Sequence, residues 1–125
     1  MDKVIIVVHG SLKKEADNLK EFTKALAISL KMNHKDVKYA YLQYGNPSVE
    51  EILLECVRER AKKIIIHPLF LFSGVHVNSS IPEIIEKFKK DYPDIEIHYT
   101  KPLGFHEKLI DIVKERIEEI KTSPQ

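Results

Sequence analysis

The segment Lys3-Val4-Ile5-Ile6-Val7-Val8 constrains this chain more than any other. A run of apolar, mostly β-branched residues without alternation leaves no face for water. It reads as a strand buried on both sides, the pattern of a parallel sheet covered by helices. The next stretch of chain has a different period. Ala16, Leu19, Phe22, Leu26 and Leu30 recur at three- and four-residue steps, which predicts an amphipathic helix.

The alternation then repeats. Val37 to Leu42 is a second strand, and Tyr44-Gly45-Asn46-Pro47-Ser48 breaks the pattern, with Asn46 as expected N-cap and Pro47 at the first helical position. Val49, Ile52, Leu53, Cys56 and Val57 stripe a second helix. Lys63 to Leu69 is the third strand, with pairing expected to end near Pro68. Ser80-Ile81-Pro82-Glu83 has capping-box spacing and predicts the start of a third helix facing inward through Ile81, Ile84, Ile85 and Phe88. Ile95 to Tyr99 is the fourth strand, and Leu109, Val113, Ile117 and Ile120 stripe the last helix. The expectation is one α/β domain over residues 1–121, followed by a frayed tail at 122–125.

Strands alternating with helices imply parallel pairing through right-handed crossovers. The expected fold is a four-stranded parallel sheet in the order 2-1-3-4, with helices on both faces. In that order strands one and three are neighbours whose chains leave toward opposite sides. Such a switch point is where open α/β sheets bind ligands, beyond the carboxyl ends of their strands.

Two histidines converge on that place. His9 ends the first strand in His9-Gly10-Ser11, and His76 lies in the expected loop after the third, in Phe70-Leu71-Phe72-Ser73-Gly74-Val75-His76. A pair of neutral imidazoles suits divalent cobalt, nickel, zinc or iron. Gly10 and Gly74 allow backbone to approach a ligand closely. Ser11 and Ser80, near expected helix amino ends, together with Lys13 and Lys14, favour anionic groups at the rim. His67 and His98 fall within strands and read as structural or interface residues, His34 as a solvated turn residue, and His106 as a candidate edge of the pocket.

Composition narrows the function. The net charge of +1, from 20 basic and 19 acidic residues, gives no bulk attraction to nucleic acid or membrane. The single Cys56 excludes an internal disulfide and any multi-cysteine metal site, and within its apolar stripe it reads as core. No run approaches the roughly 20 apolar residues of a membrane span, and Val4 to Val8 is too short for a signal peptide, so a cytoplasmic protein is expected. Neither nucleotide-binding glycine motif is present. Histidine phosphatases carry Arg before their His-Gly, where this chain has Val8, and the Gly-x-Ser-x-Gly elbow of α/β-hydrolases is missing.

These residues resemble a known family, the short sirohydrochlorin chelatases, small homodimeric members of the class II chelatases. The likeness runs through His9-Gly10-Ser11, Asn46-Pro47-Ser48, Pro68-Leu69-Phe70-Leu71, Gly74-x-His76, Ile81-Pro82 and Pro102-Leu103-Gly104. It implies a chelatase-like fold, half of a longer class II enzyme, and a lyase-type activity inserting Co2+, or alternatively Ni2+ or Fe2+, into sirohydrochlorin. It further implies a homodimer, no permanent cofactor, and His9 and His76 as catalytic, metal-contacting residues. Gly10, Ser11, Gln43, Phe72, Ser73, Gly74, Val75 and Ser80 are the expected substrate contacts, with Leu69 to Phe72 and Val75 as an apolar wall. Two positions depart from the family pattern: Gln43 stands where Glu is common, and Ser80 where Asp is common. Gln43 cannot ionise, while Ser80 is expected to keep the helix cap without the charge. A non-catalytic metal or tetrapyrrole carrier is therefore the alternative expectation.

Overall fold

The computed structural model describes residues 2–10, 13–72 and 75–122, with only the backbone described at 13–17, 44, 75–79 and 121–122. Four strands form one parallel sheet: β1 (Asp2–Gly10), β2 (Val37–Tyr44), β3 (Lys63–Pro68) and β4 (Glu96–Tyr99). Their order is β2-β1-β3-β4, as the strand–helix alternation predicts. The helices are α1 (Lys13–Leu30), α2 (Val49–Arg58), α3 (Val75–Asp91) and α4 (Glu107–Thr122), and a short 3-10 turn, His34–Asp36, leads into β2.

The apolar run of β1 sits centrally and serves both faces. Ile5 and Val7 join Ala40, Ile64, Ile66 and Ile97 beneath α2 and α3, which contribute Val49, Ile52, Leu53, Cys56, Ile81, Ile85 and Phe88. Val4 and Ile6 point the other way, to Val37 and Tyr41 under Leu19 and Ala27 of α1. Period-two alternation of side chains makes this division automatic.

Three local expectations need correction. Helix α2 is capped by Ser48 rather than Asn46: the Ser48 hydroxyl accepts from the Glu51 amide at 3.1 Å, and the Glu51 carboxylate accepts from the Ser48 amide at 3.3 Å. Asn46 and Pro47, joined by a cis peptide, belong to the turn before it, where the Pro47 carbonyl accepts from the Tyr41 amide at 2.9 Å. Helix α3 begins at Val75, not after Ser80, so Ser80 and Pro82 both lie inside it and Ser80 caps nothing. Pro82 lies two turns into the helix, where it cannot make the amide bond to the carbonyl four residues back. The buried side of α1 runs through Leu19, Thr23 and Ala27, leaving Phe22 and Leu30 exposed. Thr23 can occupy that face because its hydroxyl donates back to the Lys20 carbonyl at 3.1 Å. The expectations for Ala16 and for the tail past Thr122 concern side chains and residues outside those described, while Thr122 itself closes α4.

At the amino end of the sheet, Lys3 is a charge within the core, its side chain 3% exposed. It is neutralised by Asp36 at 2.6 Å and Glu59 at 2.8 Å, and Glu59 also meets Lys38 at 3.1 Å. Burial alone lowers the Lys3 pKa, but the two carboxylates outweigh it and the net shift is upward. For Glu59, burial pushes the carboxyl up, and its bonds to Lys3 and Lys38 more than reverse this, holding it below its ordinary range. Replacing both carboxylates, as Asp36→Asn with Glu59→Gln, should cost about 3–5 kcal/mol in urea unfolding, because an uncompensated ammonium stays buried. Lys3→Met, which removes that charge, should cost less. A depressed folded pKa means the Glu59 contribution is complete above the unfolded carboxylate pKa and lost as pH falls through the folded value. Glu59→Gln alone should therefore flatten the acid limb of the stability curve.

Candidate functional site

Strands β1 and β3 are parallel neighbours, so Gly10 and Pro68 end at the same edge of the sheet. Past β3 the chain stays attached there. The Leu69 amide donates to the Val7 carbonyl at 2.8 Å, and the Phe70 amide turns back to the Pro68 carbonyl at 2.8 Å. The segment after β4 takes the same course. Thr100, Leu103 and Gly104 amides donate to the Ile66, Phe70 and Leu71 carbonyls at 2.9, 2.9 and 2.6 Å. Two loops are thus zipped together beyond the carboxyl end of the sheet, and Gly104 supplies the positive φ of 62° that their course requires.

His9 occupies the centre of this edge. It is exposed near the end of β1, and its ring meets Phe70 edge-to-face, with centroids 6.0 Å apart at 80°. The strand register slips beside it. Val8 pairs with Tyr41 but Gly10 with Tyr44, so Leu42 and Gln43 together oppose His9. A bulge of this kind re-aims side chains at a strand end. Gln43 is exposed and, with Leu42, lies across from His9 on β2.

The apolar wall divides into core and surface. Leu69 and Phe70 are half-buried, whereas Leu71 and Phe72 are 55% and 70% exposed. On the zipped partner loop, Leu103 and Phe105 are 38% and 84% exposed. The sequence did not single out these last two as site residues. The available signal was a large apolar pair around Gly104 in a turn where polar residues are the rule.

The other expected residues are less fully placed. His76 and Val75 sit in the first turn of α3 rather than in a loop, because α3 begins earlier than its sequence cap suggests; their side chains lie outside the described set. Ser11, Ser73 and Gly74 lie outside the described residues, as do the side chains of Lys13 and Lys14. Ser80 is half-buried on α3. Among the described residues no group of three or more His, Cys, Asp or Glu side chains is arranged to hold a metal.

The remaining histidines have structural work. His67 Nδ1 lies 2.7 Å from Thr100 Oγ1, and that hydroxyl already donates to the Lys101 carbonyl at 3.0 Å. The ring therefore donates through Nδ1 and ties the ends of β3 and β4 together. Burial lowers its pKa, only partly countered by a bond to the Lys101 backbone, so it is neutral at pH 7. His98 is exposed and pairs with Glu96 at 2.8 Å. His106 caps α4, its Nδ1 accepting from the Lys108 amide at 3.1 Å. His34 opens the 3-10 turn. Cys56 is core as expected: burial first of all pushes its thiol up to about 11, so it is unreactive.

A model of the CbiX family matches residues 3–120. The chain belongs to the CbiX family. It is 33% identical over 94% of its length to a sirohydrochlorin cobaltochelatase of Methanococcoides burtonii, of which it covers 95%. It is 35% identical to the chloroplastic sirohydrochlorin ferrochelatase of Arabidopsis thaliana, matching 94% of this chain but 52% of that one. The crystal structure of the sirohydrochlorin chelatase SirB from Bacillus subtilis subspecies spizizenii in complex with cobalt superposes with a TM-score of 0.83 at 28% identity, covering 95% of this chain and 50% of that one. The chain spans about half the length of several curated relatives it matches, and nearly all of others. The fold is the chelatase fold, and no helix among the described residues is long and apolar enough to cross a membrane.

The loop after β2 leaves the sheet beside the end of β1, where Gly10 pairs with Tyr44. Gly45 has φ 116°, and a Cβ there would come within 2.9 Å of the buried Tyr41 ring. Gly45→Ala should cost about 1–3 kcal/mol through backbone strain and that clash. A thermal melt that did not move would show that the loop has room to shift.

Proposed function

We propose that this protein is a sirohydrochlorin chelatase, a lyase-type enzyme that inserts a divalent metal, Co2+ in the first instance, into the tetrapyrrole, working in the cytoplasm as a homodimer. The observation that carries the reading is His9: an exposed imidazole at the switch point of the sheet, flanked by exposed aromatic and aliphatic side chains on two interlocked loops. Relatives named as sirohydrochlorin chelatases support the substrate. Relatives matched over most of their own length and named cobaltochelatases favour cobalt, while ferrochelatase relatives make Fe2+ the next metal to assay and shared ligand preferences make Ni2+ a third.

The chemistry asks for little from the protein. An entering M2+ replaces two pyrrole protons, so charge balances without a resident cofactor. His9 and His76 would hold the metal through neutral imidazoles in a partial coordination shell, which releases its ion readily. One of them would accept pyrrole protons, a task for a base of pKa near neutrality. Phe72, with Leu71, Leu103 and Phe105, offers the flat macrocycle an apolar wall, while Gly10, Ser11, Ser73, Gly74, Val75 and Ser80 would line its rim. Gln43 replaces an ionisable group with a hydrogen-bonding amide, which leaves the imidazoles as the only bases of this set.

His9→Ala should lower the insertion rate by about 100-fold or more, the lower range for a lost acid–base group. Its melting temperature should barely change, because the side chain is exposed. The measurement follows the tetrapyrrole absorption spectrum with Co2+, Fe2+ and Ni2+ in parallel. Insertion by the unsubstituted protein no faster than the uncatalysed rate with every metal would remove the enzyme claim. Gln43 gives a second reading some weight, a carrier on the same fold, and tight tetrapyrrole or Co2+ binding without turnover is its signature. Phe105→Ala should raise KM for the tetrapyrrole roughly 2–10-fold, the range of one aromatic contact. An unchanged KM would place the ring elsewhere.

A further inference from the structure

Strand β2 is the outermost strand on its side of the sheet, so one of its edges has no partner strand. Successive residues of a strand direct their amide and carbonyl to opposite edges. The Tyr41 amide faces away from β1, since it donates to the Pro47 carbonyl at 2.9 Å. The Val37 amide faces the same way and donates to the His34 carbonyl. Tyr39 lies midway between the two and in the same phase, so its amide and carbonyl also open outward. The chain itself already pairs at this edge, where Tyr41 and Ser48 form a parallel bridge.

The edge is sunk in a trough. Helix α1 lies on one face of the sheet and α2 on the other. The gap between them at β2 holds a hollow of about 320 Å3 floored by Val37, Tyr39, Pro47 and Ile52. A second hollow of about 580 Å3, beside Ala27, Ile28 and Met32, shares Lys24, His34 and Lys35 with the first and prolongs it. Lysines alone on an edge strand would read as a guard against pairing. A recessed apolar floor beneath them is what a docked chain needs for its alternate side chains.

The rim carries one sign of charge. Lys38 is matched by Glu55 and Glu59 at 3.7 and 3.1 Å, whereas among the described residues no carboxylate pairs with the exposed Lys20, Lys24 or Lys35. On a chain of net charge +1 this is a local excess, and it selects a partner of the opposite sign. An elongated trough with main-chain groups along one wall fits an extended peptide better than a compact anion. A nucleic acid would find the lysines but has no use for the Tyr39 main chain.

We propose that this edge docks an acidic, extended segment of a partner protein, which adds a strand beside Tyr39 and sets its carboxylates against Lys20, Lys24 and Lys35. The Tyr39 amide and carbonyl hold the main chain of the segment, and the apolar floor takes its alternate side chains. No residue of the trough belongs to the wall around His9, so a docked segment leaves the candidate site open. The inference stands apart from the chelatase reading, and a protein that inserts no metal could still show it.

The probe is a dye-labelled peptide of alternating glutamate and valine with capped ends, about six residues long, a usual strand length. Its fluorescence anisotropy with the full chain should saturate at or below about 1 mM and weaken as salt is raised. Lys20→Glu with Lys24→Glu should weaken binding about 10-fold or more, since like charges then face each other. Lys87→Glu with Lys90→Glu, the same change of charge at two exposed positions of α3, should leave it unaltered. Both variants should keep the melting temperature, all these lysines being exposed. In NMR spectra of the protein, exchange of the Tyr39 amide with solvent should slow when the peptide is added. No saturation by about 1 mM, equal binding of a lysine–valine peptide, indifference to the Lys20 and Lys24 changes, or an unaltered Tyr39 amide would each overturn the proposal. So would inorganic polyphosphate that binds through the same lysines more tightly than the peptide, the mark of a phosphate site.

Discussion

Parallel pairing of β1 with β2 on one side and β3 on the other is the constraint on which the rest of the molecule depends. A strand hydrogen-bonded on both edges and roofed on both faces has no solvent-facing side chain until it ends. Val4 through Val7 are accordingly all buried, and the first exposed residue placed to meet a ligand is His9. The site is therefore where the burial requirement of β1 lapses. The same geometry makes the neighbouring chain ends diverge, because the connections from β1 and β3 run to opposite faces, and the crevice between them is a product of topology rather than of any one residue.

The parts of the fold that packing decides were legible in the residues. Parallel pairing follows from four strands alternating with helices, and the stripes of α2 and α3 read directly as buried faces because each is bordered by charge. Local signals competed less cleanly. Asn46-Pro47 and Ser48-x-x-Glu51 both announce a helix start, and the second prevails because it satisfies two amides reciprocally while Pro47 is engaged with Tyr41. Ser80-Ile81-Pro82-Glu83 imitates a capping box inside a helix that has already begun, since helical propagation costs less than a new nucleus. Lys3 was hidden for the opposite reason. Its counter-charges, Asp36 and Glu59, are far away in sequence, and only the fold assembles them.

The candidate site divides along the same line. His9 was readable because it closes an apolar run, and Gln43 because the family resemblance marked its position; the bulge that sets Gln43 opposite His9 is a matter of register. Leu103 and Phe105 were harder. They reach the site only through the bonds from the Leu103 and Gly104 amides to the Phe70 and Leu71 carbonyls, and backbone bonds between loops leave almost no trace in composition. Family membership supplies the class of chemistry. The geometry supplies which side chains stand in the open where that chemistry would happen.

On the proposed chelatase reading, a site of this kind would be weak by construction, and the chemistry would favour that. A metal destined for a macrocycle must leave its protein ligands, so a rigid, complete shell would defeat transfer. An exposed imidazole on a strand end, steadied by an edge-on aromatic contact with Phe70, meets the opposite need: fixed direction with low commitment. Rigidity is instead placed one layer back, in the loop zipper from Ile66 to Gly104 and in the His67–Thr100 bond that joins the ends of β3 and β4. On that reading, strength in the frame and lability at His9 are separable because the backbone carries the first and one side chain the second. Substituting His9 should then cost chemistry without stability, and loosening the zipper should cost both.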